Sequence, residues 1–188
     1  MTETQKIIDT LWQEGRAKLP DPMNPETTAY LDRTRERVLD ILIVMDPPYK
    51  AEQVGFITLS KKFPGLYQMW ASKDMHPLIP AYDNVGLAVR PEYQFRKFGT
   101  TLISLGLGIA QKETQEEGSN QFLVFGKDPT PDAIKLYSKA GFKITHYPEG
   151  RVDYDSLDIV PKIQISREPS RRERRAIRKR IRGLWPIE

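Results

Sequence analysis

Cysteine is absent from the 188-residue chain. Disulfides, thiolate nucleophiles and most structural zinc sites are excluded with it. Histidine is scarce, with only His76 and His146 present. No Ser/His/Asp triad or metal-ligand cluster is evident from so few imidazoles, and no metal is expected. Long apolar runs are also missing. The longest, around Phe98 to Ala110, is amphipathic and too short to span a bilayer. Met1-Thr2-Glu3-Thr4 lacks the basic-then-apolar pattern of a signal peptide, so the cytoplasm is the default expectation.

Hydrophobic residues make up 39% of the chain and charged residues 29%, a balance that suits a folded core rather than disorder. The net charge of +4 is unevenly spread. Arg171 to Arg182 holds eight Arg/Lys and one Glu, or +7, which leaves 4 − 7 = −3 for the remainder. One domain is expected over 1–166, beginning with N-terminal helices in 1–37. A basic, helical tail is expected over 167–188. That tail reads as a solvated segment or as an attraction for polyanions such as nucleic acid.

The clearest organisation runs from Val85 to Gln111. Val85, Leu87 and Val89 alternate as in a strand, and Pro91 ends it. From Leu102 the apolar residues Leu102, Leu105, Ile109 and Ala110 recur at helical spacing. A strand feeding a helix through a short polar turn aims backbone N–H groups and a helix dipole at one spot, which suits a phosphate.

Elsewhere, Thr2 and Gln5 have capping-box spacing, and residues 3–18 read as an amphipathic helix. A second short helix is expected from about Thr28 to Arg37, with no earlier strand. Val38–Met45 and Gln53–Ser60 read as a hairpin pair around the turn Asp46-Pro47-Pro48-Tyr49-Lys50. Leu66–Ala71 reads either as an extra strand or as a loop packing its own aromatics. Gln121–Phe125 reads as a short buried strand. Thr130 and Pro131 suit the start of a helix that Gly141 ends. Phe142–Tyr147 and Ser156–Ile165 read as the last two strands.

Two of these stretches resemble the GNAT acyltransferases. The first is Pro91-Glu92-Tyr93-Gln94-Phe95-Arg96-Lys97-Phe98-Gly99-Thr100, similar to that family's Gln/Arg-x-x-Gly-x-Gly/Ala turn. Gln94 and Gly99 match, and Lys97 stands where the family has its first glycine. If φ is positive there, a side chain adopts it only at a cost. The second is Ala133-Ile134-x-Leu136-Tyr137-x-Lys139-x-Gly141-Phe142, very like the family's Ala-x-x-Leu-Tyr-x-Lys-x-Gly-Phe. The two occur in the family's order, and the resemblance covers roughly residues 38–166.

The resemblance implies an α/β fold with a mostly antiparallel, splayed central sheet flanked by helices. It implies transfer of an acetyl group from acetyl-CoA to a primary amine, by direct attack in a ternary complex. Arg96, Lys97, Phe98, Gly99 and Thr100, with Gln94, would hold the pyrophosphate. Leu87, Ala88 and Val89 would pair with the pantetheine arm and supply an N–H to the acyl oxygen. Tyr137 would be the acid for the departing thiolate. For the base, Asp83 is the first candidate, then His76 and Glu92. Partners open to the chain are an amine acceptor, a polyanion at Arg171–Arg182 and a second copy of the chain. The alternative is a catalytically silent GNAT-like module that binds nucleic acid or a protein through its tail.

Overall fold

The computed structural model describes residues 2–20, 27–45, 51–69, 86–119, 122–126, 131–145 and 158–161. Helix α1 spans Glu3–Glu14. Thr2 caps it, its Oγ1 accepting from the Gln5 N–H at 3.3 Å. Gly15 ends it at φ 72°, a left-handed conformation that a glycine takes without steric cost. The helix therefore stops short of residue 18, and Arg16–Lys18 forms strand β1.

Strand β2 is Thr27–Asp32. The helix expected from Thr28 to Arg37 is not formed. Thr27, Thr28 and Ala29 are all buried, and β-branched threonines suit a strand covered on both faces. The polar run that follows turns instead of coiling. Asp32 accepts the Thr34 N–H at 2.8 Å, and Arg37 sits at φ 61°. Strand β3 (Val38–Met45) and strand β4 (Glu52–Phe63) then pair antiparallel, as the sequence suggests.

Strand β5 (Leu66–Met69) and strand β6 (Leu87–Val89) both pair antiparallel with β4. Because β3 occupies the other edge of β4, β5 and β6 lie end to end along one edge. Their registers nearly join. Met69 lies opposite Leu59, Leu87 lies opposite Ile57, and the Gly86 carbonyl takes the intervening Thr58 N–H at 2.8 Å. They are two halves of one strand, interrupted by residues 70–85. Strand β7 (Leu123–Gly126) pairs parallel with β5 only. The outer edge of β6 has no strand partner among the described residues.

The sheet is thus mixed but mostly antiparallel, the α/β arrangement expected. Helix α2 (Phe98–Glu116) lies across it, burying Leu102, Ile103, Leu105 and Ile109 completely or nearly so. Each such side chain contributes about 1.5–3 kcal/mol relative to exposure. Helix α1 packs on α2 closely enough that a Cβ on Gly108 would lie 2.3 Å from Ile8 Cδ1. Tyr67 and Lys61 hold the far end of α2. The Tyr67 hydroxyl donates to Glu113 at 2.5 Å, and Lys61 pairs with both Glu113 and Glu117. Helix α3 (Pro131–Lys139) ends at Gly141, φ 88°. Strands β8 (Phe142–Thr145) and β9 (Asp158–Pro161) form a separate antiparallel pair, with Pro161 at its end.

No helix among the described residues is long and apolar enough to cross a membrane.

Candidate active site

The end of β6 and the start of α2 define the site. Two bonds fix which way the β6 backbone faces. Thr58 N–H donates to Gly86 O, and Arg90 N–H donates to Val54 O at 2.9 Å. In an antiparallel ladder, alternate residues face the partner. Gly86, Ala88 and Arg90 therefore face β4, while Leu87 and Val89 turn their backbone groups to the open edge. Ala88 contributes no free backbone group to that edge. The Val89 carbonyl on it is taken by the side-chain amide of Gln94, at 3.2 Å.

A 3-10 turn, Pro91–Tyr93, follows β6. Tyr93 and Phe98 are both buried, their rings 6.4 Å apart and edge to face. They anchor the two ends of a loop, Gln94 to Lys97, whose side chains are exposed. Phe95 is fully exposed despite its apolar ring. Phe95 and Lys97 both have left-handed backbones, at φ 64° and 65°. For residues with a Cβ, each costs about 1–2 kcal/mol. Lys97 thus takes a conformation that a glycine would adopt without steric cost. It is also the N-cap of α2, with no side-chain bond to the helix. The N–H groups of Phe98, Gly99 and Thr100 precede the first intrahelical bond, Thr101 N–H to Lys97 O at 3.0 Å.

These donors fit coenzyme A. A pantetheine arm pairs with a sheet edge, and β6 offers the Leu87 and Val89 N–H groups. A pyrophosphate takes N–H donors and cations, and α2 opens on three such N–H groups with Arg96 and Lys97 exposed beside them. Gly99 has a different part. A Cβ there would lie 3.0 Å from Leu136 Cδ2, so its smallness brings α3 against the start of α2. That contact carries the second motif to the first.

Tyr137, next to Leu136, is buried against Phe142, with ring centroids 5.4 Å apart. Burial pushes its phenol up to about 12. Its hydroxyl has no hydrogen-bond partner among the described residues. Glu92 is exposed and paired with Arg90. Asp83, His76, His146, Thr130 and the tail Arg171–Arg182 lie outside the described residues. No group of three or more potential metal ligands occurs among the described residues.

A cluster not foreseen from sequence lies behind the turn. Glu52, the first residue of β4, takes Arg90 Nη1 on one carboxylate oxygen and the Tyr93 hydroxyl on the other, each at 2.6 Å. The Glu52 carboxylate and burial together raise the Tyr93 phenol above its ordinary value. Arg90 and Arg96 lie 5.9 and 5.6 Å from the centre of the Tyr93 ring. Partners 38 and 41 residues apart leave no periodic signal.

No protein-family model and no curated protein matches the chain. Solved structures do. A mutant of KacT is 20% identical, with TM-score 0.45, over 69% of this chain and 74% of that one. An IAA acetyltransferase from Bacillus cereus is 17% identical, with TM-score 0.38, over 66% and 75%. SpeG from Vibrio cholerae, a spermidine/spermine N-acetyltransferase, is 14% identical, with TM-score 0.39, over 68% and 66%. Two of these three are named as acetyltransferases. At these scores the likeness is a partial one of fold, and a functional reading rests on this chain's own residues.

Proposed function

We propose that the chain transfers an acetyl group from acetyl-CoA to a primary amine, in a ternary complex. The observation that carries this reading is the left-handed Lys97 at the start of α2, in the motif position, beside the outward-facing edge of β6. Acetyl-CoA supplies an acyl group already activated as a thioester, so holding the reactants supplies much of the rate. The Phe98, Gly99 and Thr100 N–H groups, with Arg96 and Lys97, hold the pyrophosphate. Gln94 ties that turn to β6 through Val89 O. The Val89 N–H donates to the acyl oxygen as charge gathers there.

Tyr137 returns a proton to the departing thiolate. Its phenol, pushed up to about 12 by burial, is protonated at neutral pH, the state a proton donor needs, as an unshifted phenol near 10 would also be. Asp83 takes the proton that the incoming ammonium must lose.

Calorimetry with coenzyme A, followed by a free-thiol assay with acetyl-CoA across a panel of amines, tests the reading. Saturable binding and acceptor-dependent thiol release are expected. No heat at millimolar coenzyme A would remove it.

A further inference from the structure

We propose that Glu52 is a positioning residue of the coenzyme site, acting through Tyr93 and Arg90 on the turn that opens α2. The proposal rests on the functional reading above. Its starting point is a mismatch. The turn from Gln94 to Lys97 holds two non-glycine residues in left-handed conformations, and one of them, Phe95, exposes its whole ring. Within the turn itself, the Gln94 side chain ties one end to Val89 O through an exposed bond, and neither Phe95 nor Lys97 gains a side-chain bond of its own among the described residues to offset its backbone. Such a turn persists only when its surroundings over-determine it.

Glu52 is the group that does so from outside. Its two carboxylate oxygens hold two different residues of the segment just before the turn, each at 2.6 Å. Charge-assisted bonds of this length are among the stronger ones in proteins. Arg90 is held a second time by Glu92, so its guanidinium is bracketed by two carboxylates. Tyr93 is the last residue of the 3-10 turn, and Arg96 of the phosphate-facing loop lies over its ring. Glu52 thus sets the Tyr93 ring, and the ring sets where the loop's own cation stands. The backbone bond from Arg90 to Val54 already fixes the end of β6. The side-chain bonds to Glu52 act beyond it, on the loop.

The test uses the full-length protein with Glu52→Ala, Glu52→Gln and Tyr93→Phe. The measurements are coenzyme A affinity by calorimetry and amide hydrogen exchange in the free proteins. Losing both charge-assisted bonds in Glu52→Ala should weaken coenzyme A binding about 10-fold or more. Exchange at the hydrogen-bonded amides that bracket the turn, those of Tyr93, Gln94 and Thr101, should quicken by a similar factor, with that of β3 unchanged. Glu52→Gln keeps an acceptor oxygen and should recover affinity to within about threefold of the wild type. Should Glu52→Ala not fold, Tyr93→Phe removes only the hydroxyl bond and should still weaken binding about threefold. Wild-type affinity and exchange in these variants would overturn the proposal while leaving the functional reading standing. A wild-type protein that binds no coenzyme A would overturn both.

Discussion

The Gln94 side-chain amide donates to the Val89 carbonyl over 3.2 Å, which clamps the turn that opens α2 to the outer edge of β6. The bond covers one edge acceptor and leaves the Val89 N–H facing outward. Gln94 is exposed, so the bond's net contribution to stability is about 0.5–1.5 kcal/mol. Gln94→Ala should therefore leave the fold intact. It should weaken coenzyme A binding roughly 3- to 10-fold, measured by calorimetry. Unchanged affinity would place the coenzyme away from this edge.

Lys97 allows strain and charge to be separated. Its φ of 65° disfavours any residue with a Cβ. Lys97→Gly removes the strain and the cation together. Lys97→Ala removes the cation and keeps the strain. Urea melts should find the glycine variant more stable than the alanine variant by about 1 kcal/mol. Both should lose coenzyme A affinity to a similar extent, because both lack the cation. A glycine variant that binds as tightly as the wild type would show that the ammonium does not meet the phosphates.

Sequence periodicity made the central strand–turn–helix legible because Pro91 ends the period-two run and an unambiguous period-3.6 run begins a few residues later, within α2. Gly141 was legible because a left-handed cap favours glycine. Strand β2 was not. Its buried run Thr27-Thr28-Ala29 does not alternate, and the polar residues after it are tolerable helix formers. What decides against the helix is pairing with β3 from Thr27 to Asp32, a tertiary fact. At the site, the loop residues were legible from the motif. Glu52 was not, because only the β4–β6 register brings it to Arg90.

The interrupted strand makes a prediction about residues 70–85. Met69 lies opposite Leu59, and Gly86 O already takes the Thr58 N–H. Excising 70–85 would put Gly86 directly after Met69, on consecutive rungs of β4. The shortened protein should fold with its sheet content kept, as circular dichroism would report. Its coenzyme A affinity should stay within about threefold, because the turn and the β6 edge are untouched. Turnover with a good acceptor should fall steeply, since the excised segment contains Asp83 and His76. Undiminished turnover would remove both residues from the list of bases.

Tyr137 joins stability to chemistry. Burial raises its phenol from an unfolded value of about 10 to about 12, because the fold disfavours the phenolate. A group raised on folding contributes stability that is complete below its unfolded pKa and is lost as pH rises through the folded one. The window is therefore from about pH 10 to about 12, and the stability lost across it is on the order of 3 kcal/mol. Tyr137→Phe should lose stability less steeply across that window in urea melts. Tyr67, also raised by burial, contributes equally to both proteins and cancels in the comparison. The same protonated state serves as an acid at neutral pH. Tyr137→Phe should lower turnover about 100- to 10,000-fold while changing coenzyme A affinity little, the mark of an interaction made in the transition state. Since the wild-type phenol keeps its proton up to its raised pKa, ionisation of Tyr137 should produce no fall in turnover between pH 8 and 10. If the phenylalanine variant turned over as fast as the wild type with chemistry rate-limiting, Tyr137 would be a packing residue. Its contact with Phe142 would then account for its burial.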